Sequence, residues 1–230
     1  MRKFYILNFI YAFSVFPLTA QLMSVESSAL AANDIQFESS ELKTALSQDI
    51  DGLMSKVVKW RHHLHEYPEL GNREFKTSKY IADILNNLGL EVNTGIAYTG
   101  ITAYIRGEHS GPLIALRADI DALPVTELTN LPYASKETTM YQGNKVGVMH
   151  ACGHDAHVAV MLGVADFLSR NTDKLHGDIL LIFQPAEEGP PEGEEGGAEL
   201  MLKEGIFNEK PDVVFGMHVT NSYNGAIAVK

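Results

Sequence analysis

Cysteine is almost absent from this chain: Cys152 is the only one in 230 residues, so no internal disulfide can form. Long apolar runs are missing too. The apolar N-terminal stretch, residues 4–16, is interrupted by Asn8 and Ser14 and is short for a membrane span. Positive charge is scarce: 18 Lys and Arg stand against 29 Asp and Glu, a net charge of −11. That balance disfavours nucleic acid and anionic membrane as partners. There is no internal repeat. What is present, 45% hydrophobic and 20% charged residues, is an ordinary globular composition with enough length for one or two domains and a sizeable core.

The N-terminus reads as an export signal. Arg2 and Lys3 precede the apolar stretch, and small residues follow, with cleavage after Ala20 or within Ala29-Leu30-Ala31-Ala32. Residues 1–32 are therefore read as signal and processing region, 33–40 as a polar linker, and 41–230 as the folded part. The mature protein is expected outside the cytoplasm and free of the membrane. A lone thiol in an oxidising compartment is a liability unless something protects it, and a bound metal would.

From Glu41 a helical period runs through Leu42, Ala45, Leu46, Ile50, Leu53, Val57 and Leu64, with Pro68 beyond its end. The histidines in Arg61-His62-His63-Leu64-His65 sit one and two apart. That spacing scatters ligands around a helix, so they read as a polar helix end. A second helix is expected over 74–88, closed by Gly89. Strands are expected at 90–93, 100–106, 112–118, 178–183 and 213–218, the last three as buried strands. Helices are expected at 158–168 and 198–203. The alternation predicts an α/β fold, a mixed and largely parallel sheet covered by helices on both faces.

The chemistry-bearing residues fall at strand ends. Asp119 and Asp121 follow one buried strand, Gln184-Pro185-Ala186-Glu187-Glu188 another, and His218 ends a third. In open α/β sheets, sites form at the carboxyl ends of strands, so these groups should meet at one rim. Cys152 and His154, two apart on an extended segment, would share a face and offer a thiolate and an imidazole to a metal. Adjacent glutamates on a regular strand point to opposite faces; Pro185 makes a departure from strand geometry plausible. This reading does not decide which glutamate does what. Residues 190–197 read as a flexible acidic loop.

Four ordered motifs carry a resemblance: Arg117-Ala-Asp-Ile-Asp-Ala-Leu-Pro124, His150-Ala-Cys-Gly-His-Asp-Ala-His157, Phe183-Gln-Pro-Ala-Glu-Glu188 and Gly216-Met-His-Val219. Together they resemble the amidohydrolase branch of the aminoacylase/carboxypeptidase metallopeptidases, which includes hippurate, N-acyl-amino-acid and auxin-conjugate hydrolases. The resemblance implies a zinc-exopeptidase-like catalytic domain. It implies Cys152, His154, Glu188 and His218 as metal ligands, Glu187 as general base, and Asp121 as the residue orienting a ligand. Asp119 stands where other branches carry a histidine. The implied cofactors are one or two divalent ions, manganese or zinc first, with cobalt or nickel as alternatives. The implied reaction is hydrolysis of the amide of a small N-acyl amino acid; a carboxypeptidase or dipeptidase of the same fold is the alternative.

Members of that family are longer. They carry a lid and dimerisation domain and a further histidine ligand, and the chain stops at Ala226-Ile-Ala-Val-Lys230 about where the lid would begin. The expectation is an N-terminal portion of such a domain, either a fragment of a longer protein or a truncated, non-catalytic remnant. Oligomerisation is expected only of a form with the lid.

Overall fold

The computed structural model describes residues 28–220, with side chains from residue 42 onward. The N-terminal apolar stretch and residues 221–230 lie outside the described residues. The chain divides into a unit of residues 1–37 and a unit of residues 38–230. Residues 28–37 are helical, and that helix, α1 (Ser28–Glu66), continues into the larger unit. Residues 33–40, expected as a linker, are therefore helical. No glycine or proline interrupts the chain from Ser28 to Asp51, and nothing local stops a helix there. Among the described residues, no helix is long and apolar enough to cross a membrane.

The larger unit continues with α2 (Phe75–Asn87), β1 (Glu91–Ile96), β2 (Gly100–Arg106), β3 (His109–Asp119), β4 (Thr138–Tyr141), β5 (Asn144–Gly147), α3 (His154–Ser169), β6 (His176–Gln184), α4 (Gly197–Lys203) and β7 (Val213–Gly216). Five strands form one sheet in the order β1-β2-β6-β3-β7. It is mixed, antiparallel from β1 to β6 and parallel from β6 through β3 to β7. The strand alternation sorts the core into two layers. Leu181 and Phe183 face Leu64 of α1, Ile81 and Leu85 of α2, and Val158 and Leu162 of α3. Leu180 and Ile182 face the other way, toward Met201 of α4 with Leu113 and Ala115 of β3.

The strand register defines the rim. Asp119 pairs with Gln184 across β3 and β6, and Arg117 pairs with Gly216 across β3 and β7. Three parallel strands thus end at one edge. β7 departs from the buried strand expected there: Val213, Val214 and Phe215 are exposed. Among the described strands it pairs only with β3, at the end of the sheet, and an apolar run cannot report whether anything covers it. The β4–β5 hairpin was not anticipated. Its two-residue turn, Gln142-Gly143, has positive φ at both positions (48° and 78°), the geometry that fits a twisted hairpin.

The histidines at the end of α1 do not gather at one point. His62 stacks on Tyr133 and His63 on Tyr80. His65 is buried, with Nδ1 2.9 Å from Asp155 and Nε2 3.3 Å from Glu127. The plain polar helix end expected there is a packed anchor instead. The hydrogen bond to Asp155 is the main reason that the His65 pKa is raised. Burial pushes Asp155 upward, but His65, His150 and Arg61 outweigh it and hold its carboxyl below the usual range. A raised histidine contributes stability fully present below about pH 6.5 and lost as pH climbs through its folded value. A lowered aspartate contributes stability present above about pH 3.9 and lost as pH falls through its folded value. The pair should therefore help most from about pH 4 to 6.5. The gap in Tm between the natural chain and His65→Gln is expected to be largest at pH 5–6 and to shrink by pH 9. A gap independent of pH would rule out this ion pair as the source.

Candidate metal centre

The loop after β5 turns sharply into α3 at Gly153, whose φ is +89°. His154 is the first residue of that helix, so Cys152 and His154 do not lie on one extended segment as expected. They still converge, because the left-handed glycine swings the helix start toward the rim. A Cβ at residue 153 would also lie 2.2 Å from Val219 Cγ2. Gly153→Ala should cost about 1–3 kcal/mol for backbone strain alone, more with the clash, read as a lowered Tm of the metal-free protein. An unchanged Tm would mean that this turn is not constrained as described.

His154 is the hub. It is wholly buried, and its Nδ1 lies 2.8 Å from the Asp121 backbone carbonyl, which fixes the proton on that nitrogen. Its Nε2 has no hydrogen-bond partner. Around that free nitrogen stand Asp119 Oδ1 at 3.6 Å, Glu187 Oε2 at 3.7 Å and Glu188 Oε1 at 3.9 Å. Those separations are too long for hydrogen bonds and suit groups arranged around a cation. Cys152 Sγ lies 3.5 Å from His218 Nε2, and Cys152, His154 and His218 form one group of donors within 4.8 Å of one another. His154, Glu187 and Glu188 form a second such group.

Cys152, Glu187, Glu188 and His218 are thus all brought around His154. A third group, Asp119 with His154 and His157, fits a cation less well. His157 Nδ1 is 2.6 Å from Asp119, and its Nε2 accepts the Val219 N–H at 2.8 Å, so both of its nitrogens are spent. His157 instead ties the segment bearing His218 to α3. His150, from the same motif, is buried with both ring nitrogens unpartnered, and burial pulls its pKa down to about 4.

Charge argues the same way. Burial pushes Asp119 upward, but the His157 hydrogen bond and the charges of His154 and Arg117 hold it below the usual carboxylate range. Burial, then Glu188, push the Cys152 thiol up to about 11. A thiol, a free imidazole nitrogen and several carboxylates form a donor set of mixed softness that a divalent transition ion satisfies. Asp121 supports two of the donors: its carbonyl takes His154 Nδ1, and its Oδ2 accepts the Glu188 N–H at 3.0 Å. Such outer contacts fix ligand orientation. A cleft of about 540 Å³ opens beside Asp121 and Glu188, with Arg73, Lys76 and Tyr141 on its walls, a size that admits a small molecule.

The acidic stretch 190–197, expected to be flexible, is pinned. Arg73 pairs with Glu194 at 2.5 Å, and Asn72 Nδ2 reaches Glu194 at 3.1 Å and the Glu195 carbonyl at 2.8 Å. These partners lie some 120 positions upstream, beyond the reach of any local pattern.

The α/β sheet thus carries a Cys/His/Glu donor cluster at its carboxyl rim, where open α/β sheets form their sites. The model of Peptidase family M20/M25/M40 matches residues 115–230, and the chain belongs to that family. The resemblance drawn from the four motifs is to this same group. Thermostable carboxypeptidase 1 of Saccharolobus solfataricus is 44% identical over 188 residues, 81% of this chain and 45% of that protein. The N-acetyl-L-cysteine deacetylase of Bacillus subtilis is 44% identical over 170 residues, 74% of this chain and 38% of that protein. The crystal structure of a dinuclear metal-binding peptidase of the M20 family from Bacillus subtilis aligns with a TM-score of 0.65 at 40% identity, over 74% of this chain and 44% of that one. The chain spans less than half the length of these relatives.

Proposed function

We propose that this chain carries the metal-binding and proton-transfer residues of an exported amidohydrolase that cleaves N-acyl amino acids. The observation that carries the reading is the unpartnered, buried Nε2 of His154 facing Glu187 and Glu188, with Cys152 and His218 alongside. Cys152, His154, Glu188 and His218 are the residues that would hold a divalent ion. Such an ion, when bound, supplies Lewis acidity for the scissile carbonyl and lowers the pKa of water. Glu187 is then the group that takes the proton of the attacking water and returns it to the leaving amine. Its carboxylate is about one-third exposed, and Arg117 Nη2 sits 3.8 Å from its Oε1. Arg117 itself is held by Asp119 and Gln184, which keeps that positive charge beside the base.

The test is metal analysis joined to a hydrolysis panel, run on this chain and on the longest reading frame that contains it. Chelator-sensitive release of amino acid from N-acyl substrates is expected. No release from any of them by either protein would sink the reading. A clear preference for unblocked dipeptides would favour the carboxypeptidase alternative, which has support in the carboxypeptidase relative. Export is checked separately by N-terminal sequencing of the mature protein. A mature N-terminus at Met1 would refute signal cleavage.

A further inference from the structure

Glu187 and Glu188 are neighbours, and on a strand they would face opposite ways. Both reach His154 because the chain leaves β6 through Pro185 and a left-handed alanine: Ala186 has φ +46° and is buried. That conformation is unfavourable for a residue with a Cβ and persists only when its surroundings impose it. Asp121 holds the Glu188 amide, and a second buried carboxylate holds the amide of Ala186 itself. Glu74, just before α2 and wholly buried, accepts the Ala186 N–H on Oε1 at 2.8 Å and the Thr99 hydroxyl on Oε2 at 2.6 Å. A carboxylate suits this place because both partners are donors. The rest of the segment is closed on the same loop. A Cβ at Gly71 would lie 3.2 Å from Ala186 and 3.0 Å from the Gly189 carbonyl.

We propose that Glu74 is a positioning residue of the site: by holding the Ala186 amide it helps turn Glu187 and Glu188 toward the same point. The proposal rests on the reading of those two residues as base and ligand. The role needs an acceptor and not a charge. Burial lifts the Glu74 pKa to about 7, so near neutrality the loop is held by the protonated and ionised forms alike. Glutamine should therefore replace Glu74, with the Thr99 hydroxyl reversing its direction, and methionine, of similar length but with no strong acceptor, should not.

The experiment reads two quantities on the natural chain, Glu74→Gln and Glu74→Met. The first is exchange protection of the Ala186 amide in the metal-free protein. The second is Co²⁺ affinity, from titration of the visible absorption bands. Protection and affinity are expected within about threefold of natural in the glutamine variant. In the methionine variant both should fall tenfold or more, while the thiolate-to-cobalt band of Cys152 persists. Unchanged protection or affinity in folded Glu74→Met overturns the proposal, as does an equal loss in both variants. If Glu74→Met does not fold, Thr99→Val serves: it frees the carboxylate to swing away, and unchanged Ala186 protection there is equally decisive. A natural chain that takes up no Co²⁺ refutes the metal reading, and Ala186 protection still decides the role of Glu74.

Discussion

Glu187→Gln is expected to keep the metal content of the protein and to lower turnover by about 10²- to 10⁴-fold, the usual contribution of a positioned general base. The amide is nearly the same shape, so the Pro185-Ala186 turn and the contacts of its backbone should survive. What is lost is the basicity of the carboxylate: the amide oxygen still accepts hydrogen bonds but cannot take a proton from water. Glu188→Gln is expected to behave in the opposite sense. Its carboxylate lies beside the Cys152 thiol and 3.9 Å from His154 Nε2, and neutralising it should weaken metal occupancy first and activity as a consequence. Metal content by elemental analysis and turnover at saturating metal separate the two. Equal metal loss in both variants would show that the roles are shared or exchanged.

Cys152 should give the second large effect, in its reactivity toward alkylating reagents. In the metal-free protein the thiol is pushed up to about 11 by burial and by the acids around it, so at neutral pH it is almost wholly protonated and slow. Its labelling rate should then climb about tenfold per pH unit between pH 7 and 10, following the thiolate fraction. With metal bound, the sulfur is deprotonated but its lone pairs are engaged, so the rate should stay low and nearly flat over the same range. At pH 10 the two forms should differ by two orders of magnitude or more. Coincident pH–rate curves with and without metal would remove Cys152 from the ligand set. Cys152→Ser substitutes a weak neutral ligand and should lower metal affinity while leaving the fold intact.

The elements most legible in the sequence are those whose pattern is local. β2 lies where it was expected, 100–106, and the apolar runs of β3 and β6 announce central strands whose polar ends meet at one rim. The gathering of Cys152, His154, Glu187, Glu188 and His218 follows from that rim. Other features depend on contacts that no window of sequence contains. α3 begins at His154, ahead of the expected 158, because Gly153 reads equally well as loop or as the left-handed residue before a helix, and His154 and Asp155 lack an apolar period of their own. Glu74 reads as an ordinary acid at a helix N-terminus, where the dipole favours it. Nothing nearby reveals that it is buried or that its partner lies 112 positions on. His157 sits in a quoted motif, yet only the structure distinguishes it from a ligand, by showing both of its nitrogens occupied.

The order of strands in the sheet has a consequence for how the chain is made. β3 is bracketed by β6 and β7, and both are encoded later: β3 ends at Asp119, β6 begins at His176 and β7 at Val213. At about 5–20 residues per second, the ribosome delivers β6 several seconds after β3 and β7 later still. For that interval Leu113-Ile114-Ala115-Leu116 has neither neighbour, and its hydrogen-bonding edges stand open. β1 and β2 can pair early as a hairpin, but their only route to β3 runs through β6. The nascent chain therefore holds a central strand of its sheet idle during synthesis. Yield should depend more on holding chaperones and slow growth temperature than on the stability of the finished sheet.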